Sequence, residues 1–358
     1  MKKSKIRTGT TLAVIALIFL GGWLAEHLGG SNSMLVTVLQ KGAVYALIAV
    51  SMNLLNGFTG LFSLGQAGFM LAGAYTYAVL TIPMAKRAAV YQYYDGGWIQ
   101  MTLHFLPAMI AAGLVAALFA ALIGIPVLRL RGDYLAIATL GFAEIIRAIV
   151  QWDAIGPLTN GSNLLKTYPT LKTIMPGNTV LFTFLVVGVC VGLILLLINS
   201  TYGRAFKAIR DDEIAAEAMG INLFHHKQMA FVISSFFAGV GGALLAMYQG
   251  SLQANSFKSS MTYEILLIVV IGGLGSVSGS IMASFLFIAC SEWWLRFLDS
   301  QTFIGDFQVP LLSPGFRMVV FSVVIMVIVL FFRRGIMGDR ELWEIGARRG
   351  ARKGGRGK

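Results

Sequence analysis

The sequence predicts an all-α polytopic membrane protein with about ten transmembrane helices, some of them broken, and with both termini in the cytoplasm. Composition is the first observation: 57% of the 358 residues are hydrophobic and only 12% are charged, whereas soluble domains carry about 45–50% apolar and about 25% charged residues. The mean hydropathy of +0.76 agrees with this class. The other two observations are the spacing of long apolar runs and the placement of basic residues between them.

Ten apolar runs approach the length of about 20 residues that a helix needs to cross a bilayer. They are 10–28, 33–55, 62–82, 104–126, 134–151, 179–199, 228–249, 261–274, 278–298 and 316–332. Glycine and proline interrupt several of them, so some spans, above all the third and the eighth to tenth, are expected to be broken or re-entrant. The first run is too long for the apolar part of a signal peptide and lacks a small-residue cleavage site, so we interpret it as a retained span.

Basic residues set the expected orientation. One side of the membrane receives 19 of the 28 lysines and arginines: Lys2, Lys3, Lys5, Arg7, Arg129, Arg131, Arg204, Lys207, Arg210, Lys227 and the nine from Arg333 onward. Cytoplasmic loops are enriched in Lys and Arg, which places both termini inside. Lys86 and Arg87 break this pattern on the outer side. The net charge of +12 therefore reflects orientation in a membrane rather than a surface for nucleic acid.

The same pattern divides the chain into three parts. Residues 1–9 form a cytoplasmic segment, 10–332 form the transmembrane domain, and 333–358 form a basic cytoplasmic tail. The end of that tail is rich in Gly and Arg, so we expect it to be disordered and to contact anionic lipid at most.

The cytoplasmic loop 203–227 is the longest polar stretch between two spans. Asp212 is suited to cap a short helix, and Gly220 is suited to end it. On that helix Ile214 and Ala218 share one face and form a small apolar knob among charged residues. Two readings remain open at this point: the helix transmits force from a soluble partner, or the segment is an ordinary solvated loop.

Two glycine-rich stretches, 57–68 and 272–279, lie next to predicted spans. In the first, Ser63 and Gln66 have the spacing of a capping box, which predicts that a helix begins there. The four glycines of this stretch indicate either tight helix packing or an interrupted helix that lines a path, to which Asn53 would add a polar group. The second stretch predicts a tight cytoplasmic turn. The phosphate-binding pattern GxxxxGK[ST] does not occur in the chain, so the chain is not expected to hydrolyse nucleotide.

Few ionisable residues fall inside the predicted spans, and each is a functional candidate because a charge in lipid is costly. Glu144 and Arg147 are three residues apart, so they either neutralise each other or place Glu144 in a translocation path. Lys41 and Glu264 lie near the outer ends of their spans and are expected to reach the interface. No spacing of cysteine, histidine or carboxylate residues indicates a metal site or a catalytic site.

The predicted outer loops, 83–103 and 152–178, are rich in tyrosine and tryptophan. Their members are Tyr91, Tyr93, Tyr94, Trp98, Trp152 and Tyr168. Anchoring in the lipid headgroup layer is the expected role, and a docking surface for an outside partner is the alternative.

Four ordered stretches carry a resemblance to a known family. They are 56–74 (NGFTGLFSLGQAGFMLAGA), 131–147 (RGDYLAIATLGFAEIIR), 203–222 (GRAFKAIRDDEIAAEAMGIN) and 268–279 (IVVIGGLGSVSG). Together they resemble the permease subunits of bacterial ABC importers for branched-chain amino acids, and the M-type subunit more than its H-type partner. Segment 83–103 and the basic tail do not match the family pattern.

The resemblance implies that loop 203–227 contains the helix that couples the permease to an ATP-hydrolysing subunit. The coupling residues would be Arg210, Asp211, Glu213, Ala215, Ala216 and Gly220. It also implies the partners: a second permease subunit, two ATP-binding subunits, and a periplasmic or lipid-anchored substrate-binding protein. The chain would then be a multi-pass protein of the bacterial inner membrane, in contact with lipid, with ATP on its partners and no cofactor or catalytic residue of its own.

The expected cargo is leucine, isoleucine, valine, a related apolar amino acid or a small amide. Candidates for the polar wall of the path are Asn53, Ser63, Gln66, Thr139 and Glu144. A secondary transporter driven by an ion gradient is the first alternative, and it would depend on Glu144. An intramembrane enzyme is the second, but it predicts acidic or histidine clusters that the sequence lacks.

Overall fold

The computed structural model describes residues 33–295 except 95, 96 and 131, together with 21–22, 26–27, 303–304, 307–308 and scattered positions from 319 to 341. These residues form a helical bundle. The only paired strands among them are β1 (Phe303–Ile304) and β2 (Phe307–Gln308), which are antiparallel. Most of the first predicted span, most of the tenth, and the segments 1–9 and 342–358 lie outside the described residues.

The helices of the described chain begin and end as follows. They are α1 Met34–Asn53, α2 Gln66–Thr81, α3 Met84–Val90, α4 Phe105–Val127, α5 Asp133–Gln151, α6 Gly156–Thr159, α7 Leu171–Ile174, α8 Thr179–Asn199, α9 Thr201–Asp211, α10 Glu213–Ala218, α11 Leu223–Gln249, α12 Ser259–Gly272 and α13 Val277–Ala289. A π-helical turn, Leu54–Phe58, continues α1, and a second one, Cys290–Trp294, continues α13. Short 3-10 turns occur at Asp153–Ile155 and Ala254–Ser256.

Five of these helical segments are long and apolar enough to cross a membrane. They are Met34–Phe58, Phe105–Val127, Thr179–Asn199, Leu223–Gln249 and Val277–Trp294. A sixth is formed if α5 is joined to Asp153–Thr159, which follows it after a bend of 61°. The helical class of the protein is thus confirmed in the described residues. The count of ten spans and the cytoplasmic position of both ends stay predictions.

The third and eighth predicted spans are shorter than a full crossing. Helix α2 has 16 residues and α12 has 14. Residues 59–65 leading into α2 are not helical. The segment that precedes α2 and contains Gly60 and Gly65 is thus non-helical, and α12 ends at Gly272 and Gly273; that these spans are broken or re-entrant stays a prediction.

Helix α11 lies at the centre of the bundle and packs on α1, α2 and α4. Its glycines allow direct contact between backbones: a Cβ added to Gly242 would stand 2.1 Å from the carbonyl oxygen of Met70, and one added to Gly73 of α2 would stand 2.2 Å from that of Gly239. Close approach through small residues is the usual way in which helices associate in membranes, where no hydrophobic effect drives them together. The glycines of α11 and α2 thus allow these helices to pack closely.

The surfaces of α4 and α8 that face away from the bundle are aliphatic. Their exposed side chains include Leu106, Ile110, Leu114, Leu118 and Leu122 of α4, and Leu185, Val189, Leu193 and Leu196 of α8. Such uninterrupted apolar faces suit contact with lipid chains.

The segment after α2 corrects two expectations. Arg87 is only 4% exposed, and its guanidinium donates to the carbonyl oxygens of Val79, Ile82 and Met101 at 3.0, 3.2 and 2.7 Å. Arg87 is thus not an exposed loop charge, so it does not count against the predicted orientation of the chain in the membrane. Its guanidinium caps the last carbonyl groups of α2. Neighbouring Lys86 is exposed.

Two of the aromatic side chains expected to anchor in the headgroup layer are buried instead. The hydroxyl of Tyr91 donates to the carbonyl oxygen of Leu158 at 3.0 Å, and that of Tyr168 donates to Ala246 at 3.1 Å. Burial raises the pKa of Tyr91 to about 12 despite the opposing effect of Arg87. These rings hold the loops 83–103 and 152–178 onto the bundle.

Of the four remaining anchor candidates, three expose most of their rings, and the fourth, Tyr94, is half-buried and donates from its hydroxyl to Asp153 at 3.0 Å. Tyr93, Trp98 and Trp152 are exposed on the same loops.

Candidate functional site

The polar loop between α8 and α11 folds into two short helices, of which the sequence predicts the second, α10. The carboxylate of Asp212 accepts hydrogen bonds from the backbone N–H groups of Ile214 and Ala215 at 2.9 and 3.1 Å, which caps α10. Gly220 follows the helix with φ +84°, a conformation that residues with a Cβ rarely adopt. The predicted cap and the predicted stop are both confirmed.

Helix α10 presents its apolar residues outward. Ile214 is 82% exposed and Met219 is 83% exposed, whereas Ala216 is only 4% exposed. Glu213 is bound to the ammonium group of Lys227 at 2.6 Å, which ties α10 to the start of α11. The surface offered to a partner therefore consists of Ile214 and Met219 with their charged neighbours, and Ala216 packs inward.

Arg210, the last basic residue of α9, connects this loop to the interrupted part of the bundle. Its Nη1 donates to the carbonyl oxygen of Gly57 at 3.2 Å, and its Nε and Nη2 donate to Asp211. The ammonium group of Lys207 lies 5.6 Å from the ring centre of Phe58. Helix α9 is thus in direct contact with the π-helical turn Leu54–Phe58.

Asn53 fastens the start of that turn to the glycine-rich turn between α12 and α13. It is fully buried. Its Oδ1 accepts from the N–H of Gly275 at 2.9 Å, and its Nδ2 donates to Ser276 O at 2.9 Å and Ser280 Oγ at 2.8 Å. The segment 272–279 is the tight turn that the sequence predicts.

Three other predicted path residues meet around the non-helical segment 59–65. The backbone N–H of Ser63 donates to Asn56 Oδ1 at 3.2 Å, and the N–H of Leu64 donates to Thr139 Oγ1 at 2.9 Å. Gln66 donates from its side chain to Ser51 Oγ at 2.7 Å. Non-helical backbone is tolerated at membrane depth only where it is buried in protein or lines a cavity, and these side chains supply the partners it needs.

The capping box predicted from Ser63 and Gln66 is wrong. The residue before α2 is Gly65, which has no side chain to offer the helix. Ser63 Oγ accepts only from the N–H of Gly65, at 3.4 Å, and the side chain of Gln66 points to Ser51. The spacing of Ser63 and Gln66 fits a capping box, but the side chain of Gln66 instead donates to the hydroxyl of Ser51 in α1.

Glu144 lies on a different part of α5 from Thr139 and forms the predicted pair with Arg147. Arg147 Nε is 2.7 Å from Glu144 Oε2, and the other carboxylate oxygen accepts from the hydroxyl and the N–H of Ser259. Arg147 also reaches Asn255 at 3.4 Å, and Gln151 donates to Asn255 at 3.0 Å. We call this group, Glu144, Arg147, Gln151, Asn255 and Ser259, the α5–α12 clasp.

Sequence reasoning missed three acidic residues that the structure puts to use. Glu292 binds the ammonium group of Lys41 at 2.5 Å, so Lys41 forms an ion pair between α1 and the end of α13 instead of reaching for the interface. Glu26 accepts from the first N–H groups of α8, and Glu341 from those of α13. Glu292 and Glu26 could have been noticed, since each is an acid inside a predicted span.

An apolar cavity of about 460 Å³ lies between α2, α4, α5 and the turn that follows α5. Its lining includes Tyr75, Val79, Phe119, Ile146, Val150 and Leu158. None of the five predicted path residues borders it. Within the described residues, no group of three histidine, cysteine or acidic side chains could hold a metal ion.

The bundle of apolar helices, broken near a polar loop that contacts the break, is the architecture of a multi-pass membrane protein. The chain belongs to the family of permease components of branched-chain amino acid transport systems, whose model matches residues 34–330. This confirms the family indicated by the four sequence stretches.

Individual relatives agree with that assignment. The chain is 34% identical over 304 residues to the high-affinity branched-chain amino acid transport system permease protein LivM of Salmonella typhimurium. The aligned residues cover 76% of this chain and 67% of the relative. The LivM protein of Escherichia coli K12 is 34% identical over 303 residues, with the same coverage. The LivH protein of Escherichia coli K12 is 23% identical over 314 residues, 85% of this chain and 94% of the relative. No solved structure matches the chain.

Proposed function

We propose that this chain is an M-type permease subunit of an ATP-driven importer that carries leucine, isoleucine, valine or a related apolar amino acid across a bacterial inner membrane. The observation that carries the proposal is the 34% identity, over three quarters of the chain, to proteins named as branched-chain amino acid permeases LivM. The lower identity to LivH supports an M-type role over an H-type role.

The proposed assembly contains a second permease subunit, two ATP-binding subunits and a periplasmic or lipid-anchored binding protein. Similarity of this one chain to both LivM and LivH supports a pair of related permeases. ATP is bound and hydrolysed on the partners, which supply the free energy, and this chain converts their motion into alternating access.

Coupling is proposed to run through α9 and α10. Ile214 and Met219 present an exposed apolar contact to the ATP-binding subunit, beside the charged Asp211 and Glu213. Arg210 carries the motion to Gly57, and Asn53 carries it on to the turn 272–279. A π-helical turn is a weak point in a helix, because its hydrogen bonds are already displaced from the α-helical pattern. The turn Leu54–Phe58 is thus the proposed hinge.

The proposed path runs beside the broken span, where Ser63, Gln66 and Thr139 collect. Many membrane transporters bind their substrates where helices are discontinuous, and the side chains that hold this non-helical segment are the polar groups proposed to line the path. Asn53 is fully occupied in joining two turns, so we assign it to the mechanics of the hinge rather than to contact with the cargo.

The function is tested by reconstituting the chain with its partners in liposomes and measuring uptake of leucine. Uptake should require ATP on the side of the membrane where the ATP-binding subunits lie. It should persist when ionophores remove all ion gradients. Competition by isoleucine and valine, but not by lysine, would identify the cargo class. Uptake that proceeds without the ATP-binding subunits and stops with ionophores would contradict the proposal and favour an ion-gradient transporter.

The coupling surface is tested separately with Met219→Asp. A carboxylate at this exposed apolar position should weaken docking of the ATP-binding subunit and abolish ATP-driven uptake, while the chain stays in the membrane. Met219→Leu keeps the apolar contact and serves as the matched control. Substitution of the buried Ala216 is less informative, since it would also disturb the packing of the loop itself. Equal uptake by Met219→Asp and Met219→Leu would remove α10 from the coupling surface.

A further inference from the structure

The face of the bundle that contains α5 and α12 differs from the faces of α4 and α8. Where α4 and α8 expose mainly apolar side chains and no charged ones, this face carries a charged pair: the side chain of Glu144 is 36% exposed and that of Arg147 is 23% exposed. Glu144 is 11 residues along the 19-residue helix α5, about 16 Å from its start, and it contacts Ser259, the first residue of α12. Partly exposed charges on an apolar helix that spans the membrane are costly against lipid, which indicates that this face meets water or protein.

We propose that the α5–α12 clasp binds the charged head of an amino acid on its way through the importer. The inference rests on the proposed function and adds to it the position at which the cargo is recognised within the permease. A free α-amino acid carries a carboxylate and an ammonium group side by side. The clasp offers their complement, the guanidinium of Arg147 beside the carboxylate of Glu144.

The geometry leaves donors of Arg147 available for such a ligand. Its Nε and Nη2 hold Glu144, but Nη1 reaches Gln151 and Asn255 only at 3.4 Å, at the long end of hydrogen bonding. A guanidinium binds a carboxylate with two parallel hydrogen bonds, which are stronger than bonds between neutral groups. An incoming carboxylate can therefore replace the loose contacts of Nη1.

Charge balance favours exchange over simple insertion. When the carboxylate of the amino acid binds Arg147 and its ammonium group binds Glu144, each charge of the clasp keeps an opposite partner. In the bound state no charge is left unpaired, which offsets part of the desolvation cost of bringing charged groups together away from water. A ligand with only one of the two charges would leave one partner uncompensated, which gives the site selectivity for zwitterions.

Room for an aliphatic side chain lies next to the clasp on α5. Ile137, Gly141, Ile145 and Ala148 are exposed along one stripe of the helix. A Cβ added to Gly141 would meet nothing within 4 Å, so the surface there is open. The stripe is apolar and shallow, as a leucine, isoleucine or valine side chain requires.

The test measures protection of a cysteine placed beside the clasp without altering it. Ala148→Cys and Tyr134→Cys are prepared in a chain without native cysteines and assembled with the partner subunits. Both positions are exposed on α5, but they are about 21 Å apart along the helix, so Tyr134→Cys is the matched control. Excess leucine should slow the alkylation of Ala148→Cys by a water-soluble maleimide about tenfold, the loss expected when a ligand near ten times its Kd occupies the site. Tyr134→Cys should be unaffected.

Three further arms identify the ligand chemistry. Neither 3-methylbutylamine, which lacks the carboxylate, nor 4-methylpentanoate, which lacks the amine, should protect Ala148→Cys. Protection by leucine should disappear when Arg147→Gln is added. Phosphatidylethanolamine is also a zwitterion, so the alkylation is compared in phosphatidylglycerol liposomes with and without phosphatidylethanolamine. If Ala148→Cys is protected by phosphatidylethanolamine and not by leucine, the clasp binds lipid and the proposal is overturned.

The outcome separates this inference from the proposed function. If the assembled wild-type transporter takes up leucine but leucine leaves the alkylation of Ala148→Cys unchanged, the clasp is not the binding position although the function stands. Protection that survives Arg147→Gln overturns the role of Arg147 in the same way. Failure of ATP-dependent uptake in the wild-type assembly, with all subunits present, would instead contradict the proposed function.

Discussion

At the scale of single residues, two buried or half-buried polar side chains hold the broken part of the bundle in place. Asn53 joins the end of α1 to the turn before α13, and Arg210 joins the polar loop to the π-helical turn. Both act on backbone groups that helix formation leaves without partners. A backbone group without a hydrogen bond is expensive in a membrane, so such side chains stabilise a break that the bilayer would otherwise oppose.

Replacement of Asn53 by alanine should lower the stability of the folded chain. The substitution leaves the buried N–H of Gly275 without its partner and removes the donor that Asn53 supplies to Ser276 O and Ser280 Oγ, a loss on the order of 2–3 kcal/mol. Thermal unfolding of the purified protein in detergent measures the effect. Asn178→Ala is the control, since Asn178 is exposed and its side chain does not cap α8. Equal melting temperatures of the two variants would contradict the assigned role.

Replacement of Arg210 by glutamine should uncouple ATP hydrolysis from transport. The shorter neutral side chain cannot hold Gly57, so movement of α9 no longer reaches the π-helical turn. We expect leucine uptake to fall at least several-fold while the subunits still assemble and hydrolyse ATP. Arg204→Gln removes the same charge from an exposed position of the same helix and should leave uptake near the wild-type rate. A similar loss of uptake in both variants would show that the missing positive charge, and not the missing contact with Gly57, causes the effect.

At the scale of elements, the junction between α1 and α2 is the distinctive feature. A π-helical turn and a non-helical segment separate the two helices, in the glycine-rich stretch that lies between the predicted spans 33–55 and 62–82. Gly60 adopts φ +74° within this junction, and its Cβ position is blocked at 3.0 Å by the side chain of Arg210, so only glycine fits there. The far end of α2 is closed by Arg87, so the short helix is held by polar contacts at both ends.

Loss of the Arg87 cap should destabilise α2. In Arg87→Met the aliphatic stem is retained, but the carbonyl oxygens of Val79, Ile82 and Met101 lose their charged donor. The expected cost is on the order of 3 kcal/mol, since hydrogen bonds to charged groups are stronger than neutral ones. Lys86→Met changes the exposed neighbour and should be nearly neutral. Resistance of loop 83–103 to proteolysis, compared between the two variants, provides the measurement.

At the scale of the whole molecule, the bundle has two kinds of outer surface. The faces of α4 and α8 are largely apolar and carry no exposed charge, and the face of α5 and α12 carries the clasp, with Tyr263 and Glu264 exposed beside it. Charged side chains on the outer surface are unfavourable in a protein that is surrounded by lipid on all sides. The difference predicts that α5 and α12 face the second permease and the aqueous path.

Thiol labelling in the assembled complex tests this division. Cysteines at Leu118 and Leu193, on the aliphatic faces, should resist a water-soluble maleimide, because a thiol in hydrocarbon does not ionise and the reagent does not enter. Cysteines at Ile137 and Tyr263 should react, since they border the aqueous path. All four side chains are exposed on the isolated chain, so burial within it does not explain a difference. Equal labelling at all four positions would contradict the prediction.

The sequence alone determined the membrane class, the positions of most helices, the capped helix at Asp212 to Gly220 and the family. These features follow from composition, from the length of apolar runs and from local backbone chemistry, all of which act over short stretches of chain. Only the tertiary structure decided that Gln66 turns to Ser51 instead of capping α2, that Arg87 is buried, that Lys41 pairs with Glu292, and that Arg210 rests on Gly57. Each of these outcomes depends on which distant polar group lies within reach. In a membrane, where water cannot serve as the partner, that proximity decides where every polar side chain goes.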